Sequence, residues 1–278
     1  MATIVGSIPV PASGSCCAFR QHVFRGLLTP LPMNSLRRML NVLDLFRPDQ
    51  PVIDVEIICK ELGYTSASAY RYLRELGDVG LLVRLSRGYA LGPRIIALEH
   101  QMSAYDPLLV RGRDLVDKLV AETGLDALIS EWYGDSVVTV LVQRGPDGGP
   151  VGGGRGRPID LFHSATARVV LAYLLPRQIR RIYDAHAFRP ELQHLGLEWK
   201  QFSKSLLAIR KLGYCISESE LHPGRSGLAA PIFDEKQRVL GSITLVGRSE
   251  RFKAFQESFL CKLVVDAADE LTARLAQQ

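Results

Sequence analysis

The sequence predicts an α+β protein: an N-terminal winged helix-turn-helix, a connecting helix and a larger C-terminal domain on an antiparallel sheet. Three observations predict it. Two short segments with helical apolar spacing flank a turn at Gly63 and lead into a hairpin over residues 81–91. At Asp126 the apolar period changes from that of a helix to that of a strand. Beyond that point strand runs come in pairs around turn residues, with the helical stretches set apart from them.

Residues 1–34 contain Pro9, Pro11, Pro30, Pro32 and the run Ser13-Gly14-Ser15, and no acidic residue. They read as a disordered extension, with Met33 as a candidate initiator. No charged start, apolar run and cleavage site follow one another as a secretory signal requires. The DNA-binding unit is expected over 35–92. Ser35 is expected to cap a helix carrying Leu36, Met39, Leu40, Leu43 and Phe46, broken by Arg47-Pro48-Asp49-Gln50-Pro51. Asp54 is placed to accept a free backbone N–H at the start of the next helix, whose apolar face is Val55, Ile58 and Leu62. Gly63 allows the sharp turn that ends it.

The following helix buries Ala69, Tyr72, Leu73 and Leu76 and presents Ser66, Ala67, Ser68, Tyr70, Arg71 and Arg74, with Thr65 at its start. Small and hydroxyl residues there permit close approach to bases and phosphates, and an arginine fork matches the O6/N7 edge of guanine. Gly77 within it costs about 1 kcal/mol against alanine. The wing is residues 81–85 and 88–91, with Arg84 and Arg87 near its tip, where a phosphate backbone would lie. The pattern by itself also fits three ordinary core helices with solvated arginines.

Gly92-Pro93 opens a connecting helix over 93–105 with Ile95, Ile96, Leu98 and Met102, read as a pairing surface for a second copy of the chain. The domain from 106 to 278 begins with a helix carrying Leu108, Leu115, Val116, Leu119 and Val120. Strands over 126–133 and 136–143 surround Gly134-Asp135. The glycine-rich run 144–158 lacks the Gly-Lys-Ser/Thr ending of a phosphate loop and reads as a mobile hairpin tip. A strand over 159–162 precedes a helix opened by His163-Ser164-Ala165-Thr166-Ala167-Arg168 and stopped at Pro176. Such a start either holds a carboxylate on unpaired N–H groups or is a normally capped helix close to a sheet. Helices over 178–185 and 198–212, strands over 213–217, 228–232 and 238–246, a loop over 219–226 and a final helix over 252–276 complete the order.

Hydrophobic residues make up 47% of the 278 and charged ones 23%, with a net charge of +5 and a pI near 9.0. That mild basicity suits a DNA-binding surface on a larger body. No apolar run reaches the roughly 20 residues of a membrane span, so no membrane partner is expected. Five dispersed cysteines without a C-x-x-C pair read as reduced thiols in a cytoplasm, and neither a metal nor a cofactor is expected. No hydrolase or metalloprotease motif appears, and no catalytic residue is assigned. Cys215 beside Ser217 reads as a buried structural thiol. An enzyme, or a small-acid-sensing scaffold that does not bind DNA, stands as the rival reading.

The segment Gly213-Tyr214-Cys215-Ile216-Ser217-Glu218-Ser219-Glu220, continuing to Ala229-Ala230-Pro231-Ile232-Phe233-Asp234, resembles the signature of IclR-type bacterial transcription regulators. The winged helix and Gly88-Tyr89-Ala90-Leu91-Gly92 are similar to the same family, so the resemblance covers about residues 35–278. It implies a GAF-like effector domain, a homodimer or homotetramer, a partly palindromic double-stranded DNA operator and a small organic acid effector, aromatic by family habit. It places the effector among Ala165, Thr166, Ser217, Arg225, Gly227, Thr244 and Val246, with Arg225 or Arg168 facing its carboxylate. Two departures stand out. Gly227 replaces a usual Cys, Ser or Ala, and Ala165-Thr166-Ala167-Arg168 replaces a glycine-containing turn that ends in lysine.

Overall fold

A computed structural model describes residues 34–146, 154–187, 190–192 and 194–277. The reading of 1–33 as an extension, and residues 147–153 of the glycine-rich run 144–158 read as a hairpin tip, lie outside the described residues.

Helix α1 (Ser35–Leu40) is capped by Asn34, not by Ser35: the Asn34 carboxamide accepts the Arg37 N–H at 2.8 Å. The single helix expected through Phe46 is instead two pieces, α1 and a 3-10 turn over Leu43–Leu45, which puts Val42 and Leu45 in the core. Helix α2 (Val55–Leu62) starts where Asp54 takes the Ile57 N–H at 2.9 Å and ends at Gly63, whose φ of 66° favours glycine. Helix α3 (Ser66–Asp78) buries Ala69, Tyr72, Leu73 and Leu76, the four residues its spacing selects. The wing is β1 (Leu82–Leu85) paired antiparallel with β2 (Gly88–Leu91). Ile53 pairs with Tyr89 through two backbone bonds of 2.9 and 2.7 Å, adding a third, one-residue strand. Gly88 makes this possible: at φ 142° any Cβ would sit 2.5 Å from the Ile53 carbonyl oxygen.

Helix α4 (Pro93–Tyr105) has no buried residue. It is followed at Asp106 by α5 (Pro107–Thr123), with Asp106 accepting the Leu108 N–H at 2.9 Å. The strands β3 (Asp126–Trp132), β4 (Val137–Gln143), β5 (Pro158–Ile159), β6 (Cys215–Glu218), β7 (Arg225–Phe233) and β8 (Val239–Arg248) form one antiparallel sheet in the order β5-β4-β3-β8-β7-β6. Strand β5 is shorter than the expected 159–162, because Asp160 turns the chain by accepting the N–H groups of Phe162 (2.9 Å) and His163 (2.6 Å). Strand β7 starts at Arg225, three residues before the expected 228, because pairing with β6 and β8 begins in what read as a loop.

One face of the sheet packs on α5 and on α10 (Glu257–Leu275) through Leu109, Leu119, Ile129, Ile243 and Leu271. Helix α5 lies so close that a Cβ on Gly112 would meet Ile129 Cδ1 at 2.3 Å. The other face carries α6 (Ala165–Tyr173), backed by α7 (Pro176–His186) and α8 (Trp199–Leu212) through Val170, Ile182 and Phe202. Pro176 opens α7, as its fixed φ and missing N–H suit a first helical position; α6 has already ended at Tyr173. The single C-terminal helix expected from 252 is two, α9 (Ser249–Lys253) and α10, separated where Ala254 and Phe255 close tight turns onto Arg251 and Phe252. Among the described residues no helix is long and apolar enough to cross a membrane.

Candidate DNA-binding face and effector pocket

The buried stripe of α3 fixes which side faces out. Thr65, Ser66, Ala67, Tyr70, Arg71 and Arg74 are exposed and Ser68 is half-buried. Tyr70 is 62% exposed, so its ring is available on the outer side of the helix. The Thr65 hydroxyl is engaged in the cap, accepting the Ser68 N–H at 3.3 Å and donating to Ser68 Oγ at 3.1 Å. Arg71 is steered: Nη2 donates to Ser35 Oγ at 3.3 Å, and the guanidinium lies 5.2 Å from the Tyr72 ring centre. The Tyr72 hydroxyl is held below its usual range by its hydrogen bond with Ser35, with the Arg71 and Arg38 charges adding to the effect. Among the described residues, Arg74 makes an exposed contact with its neighbour Glu75 at 3.4 Å, a pair worth little in water. Arg84 on β1 lies opposite Tyr89, and Arg87 sits in the hairpin turn; both are exposed. The surface is a protruding helix start flanked by a basic wing, the shape that enters a major groove.

In the C-terminal sheet, register brings together several of the dispersed residues expected at the effector site. Ser217, Gly227, Val246 and Asp126 lie in one row across β6, β7, β8 and β3. Opposed residues in antiparallel strands point to the same face, here the face that carries α6. The first residue of α6, Ala165, sits over the row: a Cβ on Gly227 would lie 3.4 Å from Ser217 Oγ and 3.9 Å from Ala165 Cβ. Ser164, at the N-cap, makes no side-chain cap bond. The positive end of α6 is thus directed at the row without a resident side-chain acceptor from its cap.

Thr166 and Thr244 do a different job. Thr244 donates to Thr166 Oγ1 at 3.1 Å and Ser242 to the Thr166 carbonyl at 3.0 Å, pinning α6 to β8 with all three side chains buried. Arg225 stands at the rim. Its Nη2 is 3.5 Å from Asp126 Oδ2, and its Nε is buried without a hydrogen bond. Asp126, whose side chain is 1% exposed, also takes the Gly145 N–H at 2.9 Å and Arg144 Nη1 at 3.3 Å. Asp126, Arg225 and Val246 line a small, shallow open cleft with Gly124, Arg248 and Arg251.

Sequence reasoning missed two features. Asp126 read only as the first residue of a strand; an acidic residue opening an otherwise apolar run was the available signal. Glu220 stood in the quoted signature without a role, yet its Oε2 lies 2.9 Å from Arg168 Nη2. Burial pushes the Cys215 thiol up to about 11, so it is protonated at neutral pH and is no nucleophile. Among the described residues no His, Cys, Asp and Glu cluster could hold a metal.

Family models describe this architecture in two parts. The IclR helix-turn-helix domain matches residues 35–86, and the bacterial transcriptional regulator IclR C-terminal domain matches residues 109–273. The chain belongs to the IclR family. The HTH-type transcriptional regulator KipR of Bacillus subtilis is 24% identical over 86% of this chain and 95% of its own length. An IclR transcriptional regulator from Alicyclobacillus acidocaldarius superposes with a TM-score of 0.73 at 22% identity, covering 88% of this chain and 98% of that one. An IclR homolog from Microbacterium hydrocarbonoxydans, solved in complex with 4-hydroxybenzoate, gives 0.71 at 15% identity, covering 88% and 100%. Membership makes this IclR-type chain a ligand-responsive, DNA-binding transcriptional regulator and not an enzyme.

Proposed function

We propose that this IclR-type regulator reads its operator with the start of α3 and the wing, and that a small aromatic carboxylic acid bound at the start of α6 sets its affinity for DNA. Residues 35–92 act as the DNA-binding head, 93–105 as the connector and 106–278 as the effector-binding part. Tyr70, Arg71 and Arg74, with Ser66, Ala67 and Ser68, approach base edges; Thr65, Arg84 and Arg87 lie against phosphates. Ala165, Ser217, Gly227 and Val246 surround the ring of the acid, Thr166 and Thr244 hold the helix start in place, and Arg225 faces outward to the rim.

The observation that carries the reading is the uncapped helix start directed at the Ser217–Gly227–Val246 row. The choice of an aromatic acid is supported by the 4-hydroxybenzoate bound to the Microbacterium homolog. The protein acts as a homodimer or homotetramer in a bacterial cytoplasm. Helix α4 supports the pairing, since Ile96, Leu98, Met102 and Tyr105 are 71%, 48%, 49% and 83% exposed along a helix that buries nothing. An effector that favours one arrangement of the paired heads then shifts operator affinity by its own preference for that arrangement.

The test is capture of genomic fragments by the purified protein, followed by titration of benzoate, 4-hydroxybenzoate and succinate against the captured DNA in a mobility-shift assay. Release or tightening by the aromatic acids is expected. A specific DNA complex that responds to succinate alone would overturn the aromatic assignment, and no specific complex at any concentration would favour the scaffold reading.

A further inference from the structure

Arg168 is the first long side chain after the start of α6, and it is buried: 8% of it is exposed. A buried guanidinium must be paired, and pairing stabilises it fully only when hydrogen bonds align with the charge. Among the described residues its one acidic neighbour is Glu220, with Nη2 and Oε2 separated by 2.9 Å. Yet that contact is badly aimed. Arg168 Nη2 and Nε and Glu220 Oε2 are all buried without a hydrogen bond. The charges neutralise one another while Nε and Nη2 make no aligned hydrogen bond.

Glu220 sits on a loop that is itself under tension. Ser219, immediately before it, holds a φ of 54°, a left-handed conformation that side chains other than glycine and asparagine adopt rarely. The loop closes through Ser219 N–H to the Arg225 carbonyl at 2.7 Å and Gly224 N–H to Ser219 Oγ at 3.1 Å. On its outer side stands His194, with Nδ1 3.8 Å from Glu220 Oε2, its ring meeting that of His163 edge-on. The loop joins β6 to β7, so its two ends are the strands that carry Ser217 and Gly227.

We infer that Glu220 is a resident counter-ligand: it occupies the carboxylate seat at Arg168, and an acidic effector takes that seat over, releasing the 219–224 loop. The inference rests on the acid-binding reading of the α6 start. A free carboxylate can turn to meet the guanidinium fork with two aligned bonds, which Glu220 on its strained loop does not. The exchange therefore replaces a misdirected pair by a directed one, at no change in buried charge. It also makes the negative charge of the ligand obligatory, since a neutral analogue would leave Arg168 with no reason to give up Glu220. Release of the loop frees the joint between β6 and β7, so occupancy is converted into a backbone change.

The experiment compares the full chain with Glu220→Gln by calorimetry, using 4-hydroxybenzoate and its amide as probes. The variant removes the competing charge while keeping shape, so the acid should bind it at least tenfold more tightly, with no such gain for the amide. Equal or weaker binding of the acid to Glu220→Gln, with the unaltered chain binding normally, overturns the exchange and leaves the acid-binding reading standing. A second measurement needs no variant: hydrogen exchange at the amides of 219–225 should accelerate when the unaltered protein is saturated with 4-hydroxybenzoate, and slowing or no change overturns the proposal. Failure of both proteins to bind 4-hydroxybenzoate, benzoate or succinate overturns the small-acid reading and this inference with it.

Discussion

Gly227→Ala separates the stability of the sheet from the capacity of the pocket. The added Cβ would lie 3.4 Å from Ser217 Oγ, 3.8 Å from the Leu245 carbonyl oxygen and 3.9 Å from Ala165 Cβ, contacts that require no atom to move. Alanine in a strand interior is favoured over glycine by about 0.5–1 kcal/mol because less backbone freedom is lost on folding. For a chain of this size that is a rise in Tm of about 1–4 °C. The same methyl stands between Ser217 and the start of α6, in the space assigned to the effector. Forcing a ligand against it costs about 1–3 kcal/mol by the measure of overpacked cores, a loss of affinity of roughly 5- to 150-fold. Differential scanning fluorimetry reads the first effect and calorimetry with 4-hydroxybenzoate the second. Opposite signs are expected, a more stable protein that binds more weakly. A variant that melts lower, or that binds the acid as well as the parent does, would refute the placing of the effector on the Gly227 row.

The other predictions concern the DNA face and two buried groups. Arg71→Ala should weaken specific DNA binding by about 1–3 kcal/mol if its fork reads a base; a matching loss on random DNA in the same competition assay makes it a phosphate contact instead. Arg84→Ala or Arg87→Ala should each reduce the dependence of log K on log salt by about one unit, measured by fluorescence anisotropy across a salt series, and an unchanged slope removes the wing from the interface. Asp126→Asn leaves Arg225 and Arg144 facing a neutral amide in place of a buried carboxylate. It should cost about 1–3 kcal/mol, a fall in Tm of about 2–12 °C, and an unchanged melt would show the network to be dispensable. Burial raises the Cys215 thiol from 9.0 to about 11. The stability this contributes is present below pH 9 and is lost as pH rises toward the raised value, because the unfolded chain gives up its proton first. At pH 8 native Cys215 should resist iodoacetamide, and a carboxymethylated Cys215 peptide from folded protein would contradict its burial.

Local periodicity made the head legible. Ala69, Tyr72, Leu73 and Leu76 repeat at helical spacing, so the side of α3 left outside followed from the side put inside. Caps were legible where one residue type dominates, as at Asp54 and Gly63, and illegible where two candidates adjoin, as at Asn34 and Ser35. Strand ends failed for a physical reason. The extent of β7 depends on its pairing with β6 and β8 and not on its own run of residues, and β5 is cut short by a side chain turning back on its own backbone. The pocket lay between these cases. Ser217, Gly227 and Val246 came from a family pattern, and pairing register then set them side by side; the Asp126 and Glu220 partners depend on tertiary packing that no spacing encodes.

The third strand at Ile53 changes what the wing is. Because Ile53 is bonded to Tyr89 and lies directly beneath Gly88, the hairpin is riveted to the residue just before Asp54, the cap of α2. Trimming the hairpin would also unseat the entry to the first helix of the motif. Loss of operator binding in a wing deletion would therefore report a collapsed head, and single arginine replacements at its tip are the cleaner instrument.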